Sequence, residues 1–205
     1  MEGKFVVIEG LEGAGKSSAI ASVVSHLQAK GIRTETVREP GGTPMAEAIR
    51  DLVKQRWEEQ VEPATELLLM YASRVQLVKT VIEPALKDGT WVIGDRHDLS
   101  SQAYQGGGRE LGADLLKTLK NIALGSFVPE LTLYLDVDEE TGLERARGRG
   151  ELDRIEEEDI EFFRRTRARY LELAQRDPRI VIIDANQEML KVHQAILRAL
   201  EEHLF

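Results

Sequence analysis

Lys4-Phe5-Val6-Val7-Ile8-Glu9 runs directly into Gly10-Leu11-Glu12-Gly13-Ala14-Gly15-Lys16-Ser17, and this stretch decides the fold. The first six residues form a short, β-branched apolar run, which reads as a buried strand. The next eight match G-x-x-x-x-G-K-[ST] in full. Beyond them Ile20, Val23, Val24 and Leu27 recur at helical spacing, and Gly31 supplies the stop. Strand, glycine-rich turn and helix together are what a phosphate loop requires. The glycines let backbone N–H groups turn toward a phosphate, Lys16 reaches its outer oxygens, and the Ser17 hydroxyl can hold Mg2+. The helix N-terminus adds partial positive charge. The expected nucleotide-binding residues are therefore Gly10, Leu11, Glu12, Gly13, Ala14, Gly15, Lys16, Ser17 and Ser18.

Outward from this loop the pattern repeats. Arg33–Arg38 reads as a second strand, closed by Pro40-Gly41-Gly42. Trp91–Gly94, Leu131–Leu135 and Arg179–Ile183 read as three more, each entered through a turn containing Gly or Pro. Helical patterns lie between them: Pro44–Gln55, a long stretch Glu62–Leu86 kinked at Pro84, and a last helix with Met189, Val192, Ile196 and Leu200 on one face. Short apolar strands alternating with helices imply an α/β fold, a five-stranded parallel sheet flanked by helices. With no repeat, low-complexity segment or linker, residues 1–205 read as one domain. Ligands in such sheets bind beyond the carboxyl ends of the strands.

Bulk properties agree with a soluble enzyme. Of 205 residues, 42% are hydrophobic and 31% charged, and the formal net charge of −9 argues against a nucleic-acid or anionic-membrane partner. There is no cysteine, which excludes disulfides and thiolate metal sites. No apolar run approaches the ~18 residues of a membrane span. The N-terminus lacks the pattern of a signal peptide. A cytoplasmic location is expected.

No Asn-Lys-x-Asp segment occurs, so guanine selection has no support, and a small kinase is the leading class. A kinase needs an acceptor site. Arg38-Glu39-Pro40-Gly41-Gly42-Thr43 ends the second strand, and Asp95-Arg96-His97 ends the third. Arg50 and Arg74 lie on the helices that follow the Gly-Gly turn. Several strand-end arginines suit a phosphate monoester, which guanidinium grips with two parallel hydrogen bonds. Asp95 stands where P-loop enzymes place a Mg2+-organising acid, or it orients Arg96. Residues 142–155 contain the densest basic run of this acidic chain, interrupted by glycines, and read as a lid that closes over the phosphates and excludes water.

These residues resemble the thymidylate kinase family over nearly the whole chain. Glu9 to Ser17 resembles its phosphate loop, Arg38 to Thr43 its second signature, Asp95-Arg96-His97 with Ala103-Tyr104-Gln105-Gly106 its third, and Arg149-Gly150-Glu151-Leu152-Asp153-Arg154 the lid of its bacterial branch. The resemblance implies a P-loop nucleoside monophosphate kinase architecture, with ATP and Mg2+ on the loop and dTMP as acceptor. It implies that Glu12 holds the acceptor 3′-hydroxyl, and that Arg38, Arg50 and Arg96 hold its phosphate beside Pro40. Arg74, Ser101 and Gln105 would meet the thymine edge, and Tyr104 would lie against the deoxyribose. Lys16, Arg96 and Arg149 would neutralise the transferring group, the lid supplying an arginine that the loop itself lacks, while Ser17 and Asp95 would serve the metal. Where the family commonly has a stacking Phe, this chain has Met70 with Tyr71 beside it, and either could face the base. The family is usually homodimeric. Leu77, Val78, Val81 and Ile82 are apolar enough for that interface or for burial within the chain.

Two readings compete. One is a small P-loop kinase for another acceptor, against which Glu12, Tyr104 and Gln105 argue, since a small hydroxy acid needs no base-edge reader. The other is a nucleotide-binding switch, against which the lid and the second arginine site argue.

Overall fold

The computed structural model describes residues 2–148 and 152–205. Its sheet has five parallel strands in the order β2-β3-β1-β4-β5: β1 Phe5–Gly10, β2 Thr34–Arg38, β3 Trp91–Asp95, β4 Leu131–Asp136 and β5 Ile180–Asp184. β1 is buried at all of its positions. Parallel strands covered on both faces must be apolar throughout, which is why Phe5-Val6-Val7-Ile8 shows no alternation.

The two faces of β1 divide the core. Val6 and Ile8 join a cluster with Ala19, Val23 and Leu27 of α1 (Lys16–Ala29) and Ile196 and Leu200 of α9 (Met189–Leu204). Phe5 and Val7 join one with Val92 and Leu124. That second cluster also buries Leu77, Val78 and Ile82 within the chain, with the partly buried Val81 packed against it.

From β1 the chain runs through α1 to β2. It continues through α2 (Pro44–Lys54), α3 (Pro63–Leu77) and α4 (Glu83–Lys87) to β3, all on one side of β1, then crosses to β4 and β5. The strand order thus reverses beside β1, and the crevice at the carboxyl ends is where such sheets take ligands. Register sets its contents. Arg38 pairs with Asp95 and Ile8 with Asp95, so the ends of β1, β2 and β3 lie side by side.

The stretch expected as one helix kinked at Pro84 is instead α3, a wide π-type segment over Val78–Ile82, and α4. Pro84 has no N–H and its ring crowds the preceding turn, and a widened turn accommodates both. After β3 come α5 (Asp98–Ser101) and a second π-type segment, Gln102–Gly108, which carries Tyr104 and Gln105. α6 (Ala113–Leu124), α7 (Glu139–Arg147) and α8 (Ile160–Ala174) complete the layers. Among the described residues no helix is long and apolar enough to cross a membrane.

Candidate active site

Two cavities meet at the carboxyl edge of the sheet. The first, about 260 Å3, is walled by Gly13, Gly15, Lys16, Ser17, Ser18, Asp95 and Arg145. Gly13 and Gly15 hold φ values of 74° and 90°, the left-handed region that costs a glycine nothing. Gly13 has a second reason to be glycine: a Cβ there would lie 2.1 Å from the carbonyl oxygen of Gly142 on α7. Leu11 and Ala14 turn their side chains into the core, so only their backbone can serve the loop. Lys16 Nζ donates to the carbonyls of Gly10 (3.1 Å) and Leu11 (2.9 Å). Burial, and then the positive charge of Arg96, draw its pKa down to about 8.

Asp95 Oδ1 is buried and has no hydrogen-bond partner among the described residues. Among the described residues no group of three or more His, Asp or Glu side chains could hold a metal unaided. A hydroxyl at Ser17 and one free carboxylate oxygen at Asp95 fit Mg2+, which keeps most of its waters and shares phosphate oxygens with a nucleotide.

The second cavity, about 240 Å3, has Lys16 on its wall as well, and with it Glu12, Pro40, Arg50, Met70, Arg74, Arg96, Ser101, Tyr104 and Gln105. Nine of the eleven residues expected at the acceptor therefore gather here. Arg96 is the hub. Its NH2 donates to Glu12 Oε1 at 2.7 Å and to the Tyr104 hydroxyl at 3.3 Å, and its NH1 donates to Ser100 Oγ at 3.1 Å. Tyr104 in turn donates to Glu12 Oε2 at 2.6 Å. Burial would raise the Glu12 carboxyl, but Arg96 and Lys16 hold it below the usual range. Arg96 adopts φ 70°, which a non-glycine residue takes only when its surroundings hold it there. Arg50 donates to Pro40 O at 2.8 Å, and burial together with the nearby Arg38 depresses its pKa, as expected where positive charges converge.

Two expected residues stand elsewhere. Arg38 is half exposed outside the wall, paired with Glu47 at 2.7 Å. Tyr71 does not line the cavity: it is buried with Leu67 and Leu116, and its hydroxyl donates to Asp98 at 2.6 Å. Met70 and Arg74 share a face because they are four residues apart on α3, and Tyr71 is rotated away by one step. Of the two, Met70 lines the cavity and Tyr71 does not.

Several residues escaped the sequence reading. Glu39 anchors Arg74, accepting from Nε at 2.6 Å, and meets His97 Nδ1 at 2.7 Å. Arg74 NH2 also donates to His97 O and Ser101 Oγ, while NH1 has no hydrogen-bond partner among the described residues and lies 3.9 Å from Asp98 Oδ1. Glu9, fully buried, accepts from the backbone of His97 and Ser100 and from the hydroxyls of Ser100 and Tyr170. Burial raises its carboxyl above the ordinary value. Glu66 accepts from Gln105, Arg109 and Arg154. Glu9 and Glu39 sit inside the quoted signatures, so their positions were a usable signal. Glu66 and Tyr170 carried none, whereas His97, expected from its place in the third signature to pack rather than to catalyse, does pack against Phe5 and Phe127.

The basic run expected as a lid divides. Arg145 reaches Gly13 O at 3.5 Å and Ala185 O at 3.3 Å beside the phosphate loop. Arg154 instead lies against α2, donating twice to Val53 O and once to Glu66. Arg149 lies outside the described residues, as do Gly150 and Glu151.

A family model described as Thymidylate kinase matches residues 8–196. The chain is 74% identical over 205 residues to a protein named Thymidylate kinase from Idiomarina loihiensis, the match covering all of both chains. It is 59% identical to those of Alteromonas mediterranea and Vibrio parahaemolyticus, in each case over its full length and over 92% and 98% of theirs.

Proposed function

Because this chain belongs to the thymidylate kinase family, we propose that it transfers the γ-phosphoryl group of ATP to dTMP, giving dTDP and ADP, and that the two cavities are its donor and acceptor sites. The observation that carries this reading is Lys16, which walls both cavities. A phosphoryl group passing between them travels past one ammonium.

ATP phosphates bind the loop N–H groups; Ser17 and Asp95 would hold the Mg2+, which would supply charge neutralisation at the phosphates. Arg50 and Arg96 hold the acceptor phosphate, with Arg38 at the outer rim. An acceptor phosphate oxygen is already anionic and needs no strong base. Alignment and charge stabilisation supply the rate. Lys16 and Arg96, and Arg149 from the lid, meet the charge that develops in line. Glu12 takes the acceptor 3′-hydroxyl and keeps Arg96 in place. Tyr104, packed beneath the Arg96 guanidinium, limits the sugar side, and Met70 covers one face of the base. Arg74, Ser101 and Gln105 read its edge.

Residues 1–205 act as one kinase domain whose segment 142–155 closes over the phosphates. The protein works in the cytoplasm as a homodimer. Leu68 on α3 and Leu115 and Ile122 on α6 stay exposed although large and apolar, and this supports a self-association face there.

The test is an ADP-release assay with ATP·Mg2+ and dTMP, dUMP, dCMP, dGMP, UMP and AMP in turn. Turnover with dTMP, weaker with dUMP and negligible with the rest, is expected. Turnover with another monophosphate replaces the acceptor, and turnover with none, ATP still binding, returns the chain to the switch reading or to a kinase for a non-nucleotide acceptor. Sedimentation at micromolar concentration tests the dimer.

A further inference from the structure

Gln105 and Arg74 sit on the wall of the acceptor cavity with opposite hydrogen-bonding freedom. Arg74 lines the cavity and has no acceptor atom, so whatever polar group it turns to a ligand there is a donor. Gln105 could offer either end of its amide. Glu66 removes that choice. Its carboxylate is 1% exposed and is met on every side by donors: Gln105 Nε2 at 2.8 Å and Arg109 Nε at 3.2 Å on Oε1, Arg109 NH2 at 3.1 Å and Arg154 NH2 at 2.6 Å on Oε2. Burial would raise Glu66, yet Arg109, Gln105 and Arg154 hold its carboxyl below the usual range. An ionised carboxylate only accepts, so Gln105 must give it the NH2 end, and the amide oxygen is left for the cavity.

We propose that Glu66 is a positioning residue for acceptor selection: by holding the Gln105 amide in one orientation it makes the site read an acceptor followed by a donor, the complement of a pyrimidine that carries N3–H beside a 4-keto oxygen. Thymine and uracil present that edge. Cytosine presents a bare N3 beside an amino group, so both of its contacts meet their own kind. A site built to hydrogen-bond one edge rejects its opposite strongly, because buried partners are left unpaired. This rests on the acceptor reading given above.

The test compares kcat/KM for dTMP and dCMP in the native protein and in Glu66→Gln. A neutral amide at 66 no longer dictates which end Gln105 turns to the base. The dTMP-to-dCMP ratio is expected to fall at least tenfold, with dTMP losing through KM. Damage to the fold alone lowers both substrates and leaves the ratio unchanged, and that outcome overturns the proposal. The exchange Glu66→Gln with Gln105→Glu puts an obligate acceptor back at 105 and is expected to restore the preference for dTMP.

Should neither variant fold, the native protein still decides. The Gln105 side-chain NH2, followed by 15N NMR, is expected to be protected from exchange before any dTMP is added. Protection that appears only with dTMP overturns the proposal. If the native protein does not turn over dTMP at all, the acceptor reading itself has failed, and the ratio experiment is not reached.

Discussion

Arg96 donates to Glu12 at 2.7 Å on the wall of the second cavity, tying the end of β3 to the phosphate loop. Both side chains are mostly withdrawn from water, and the pair is closed by Tyr104 on the Glu12 side and Ser100 on the Arg96 side. In the proposed reaction this contact would hold the group that meets the acceptor phosphate against the loop that meets the donor.

Replacing Arg96 by Lys keeps the charge but loses the fork that serves Glu12, Tyr104 and Ser100 together. We expect kcat to fall by about 100-fold or more, the scale on which removing one positioned donor to developing charge acts. Steady-state kinetics with ATP and dTMP checks this, and a loss confined to KM would remove Arg96 from the transferring group.

The backbone at Arg96 gives a separate expectation. At φ 70° any residue with a Cβ is disfavoured. Arg96→Gly should therefore unfold at higher denaturant than Arg96→Ala, by about 1 kcal/mol, although both are inactive. Equal midpoints would mean that the neighbours impose no cost at this position.

Lys16 titrates near 8 in the free protein, low because of burial and Arg96. Nucleotide phosphates need its protonated form, so binding takes up a proton once the pH exceeds that value. The Kd for ATP·Mg2+ is expected to rise about tenfold from pH 7 to pH 9, the slope that linkage assigns to one proton. Calorimetry in two buffers reads both the affinity and the proton. A Kd that is flat over this range would place the Lys16 pKa well above 9.

Tyr71 and Met70 should separate stability from binding. Tyr71→Phe leaves the buried Asp98 carboxylate one donor short and should cost about 1–2 kcal/mol of stability while leaving the KM for dTMP alone. Met70→Ala should raise that KM severalfold with little change in midpoint. The reverse pattern would put Tyr71 on the base.

Gly142 lies where α7 meets the loop, and a Cβ there would sit 2.6 Å from the carbonyl oxygen of Glu12. Gly142→Ala must push α7 away from the loop or distort it, at about 1–3 kcal/mol. The KM for ATP is expected to rise more than that for dTMP. Equal rises would mean that the two cavities move as one.

Local pattern was enough for the frame. Apolar runs bounded by Gly or Pro located four of the five strands and β-branched residues before Pro40-Gly41-Gly42 located β2, and the phosphate loop followed from a motif whose strand and helix context lies within a few residues of it. Arg38, Asp95 and Arg96 could be set at strand ends because a strand's end is itself a local property. The partners of those residues were not local. Glu39 reaches Arg74 across 35 positions, Glu66 reaches Gln105 across 39 and Arg154 across 88, and Glu9 reaches His97 across 88. Such pairs exist only once the order β2-β3-β1-β4-β5 has brought the strand ends together. Side-chain direction is likewise a tertiary matter. One step of helix rotation put Met70 on the cavity and Tyr71 in the core, and Glu47 drew Arg38 outward. Sequence therefore determined which chemical groups stand at the crevice, since hydrophobic periodicity and glycine geometry are read along the chain. Packing alone decided which carboxylate holds each of them, because a buried charge takes the partner that the folded chain brings within reach.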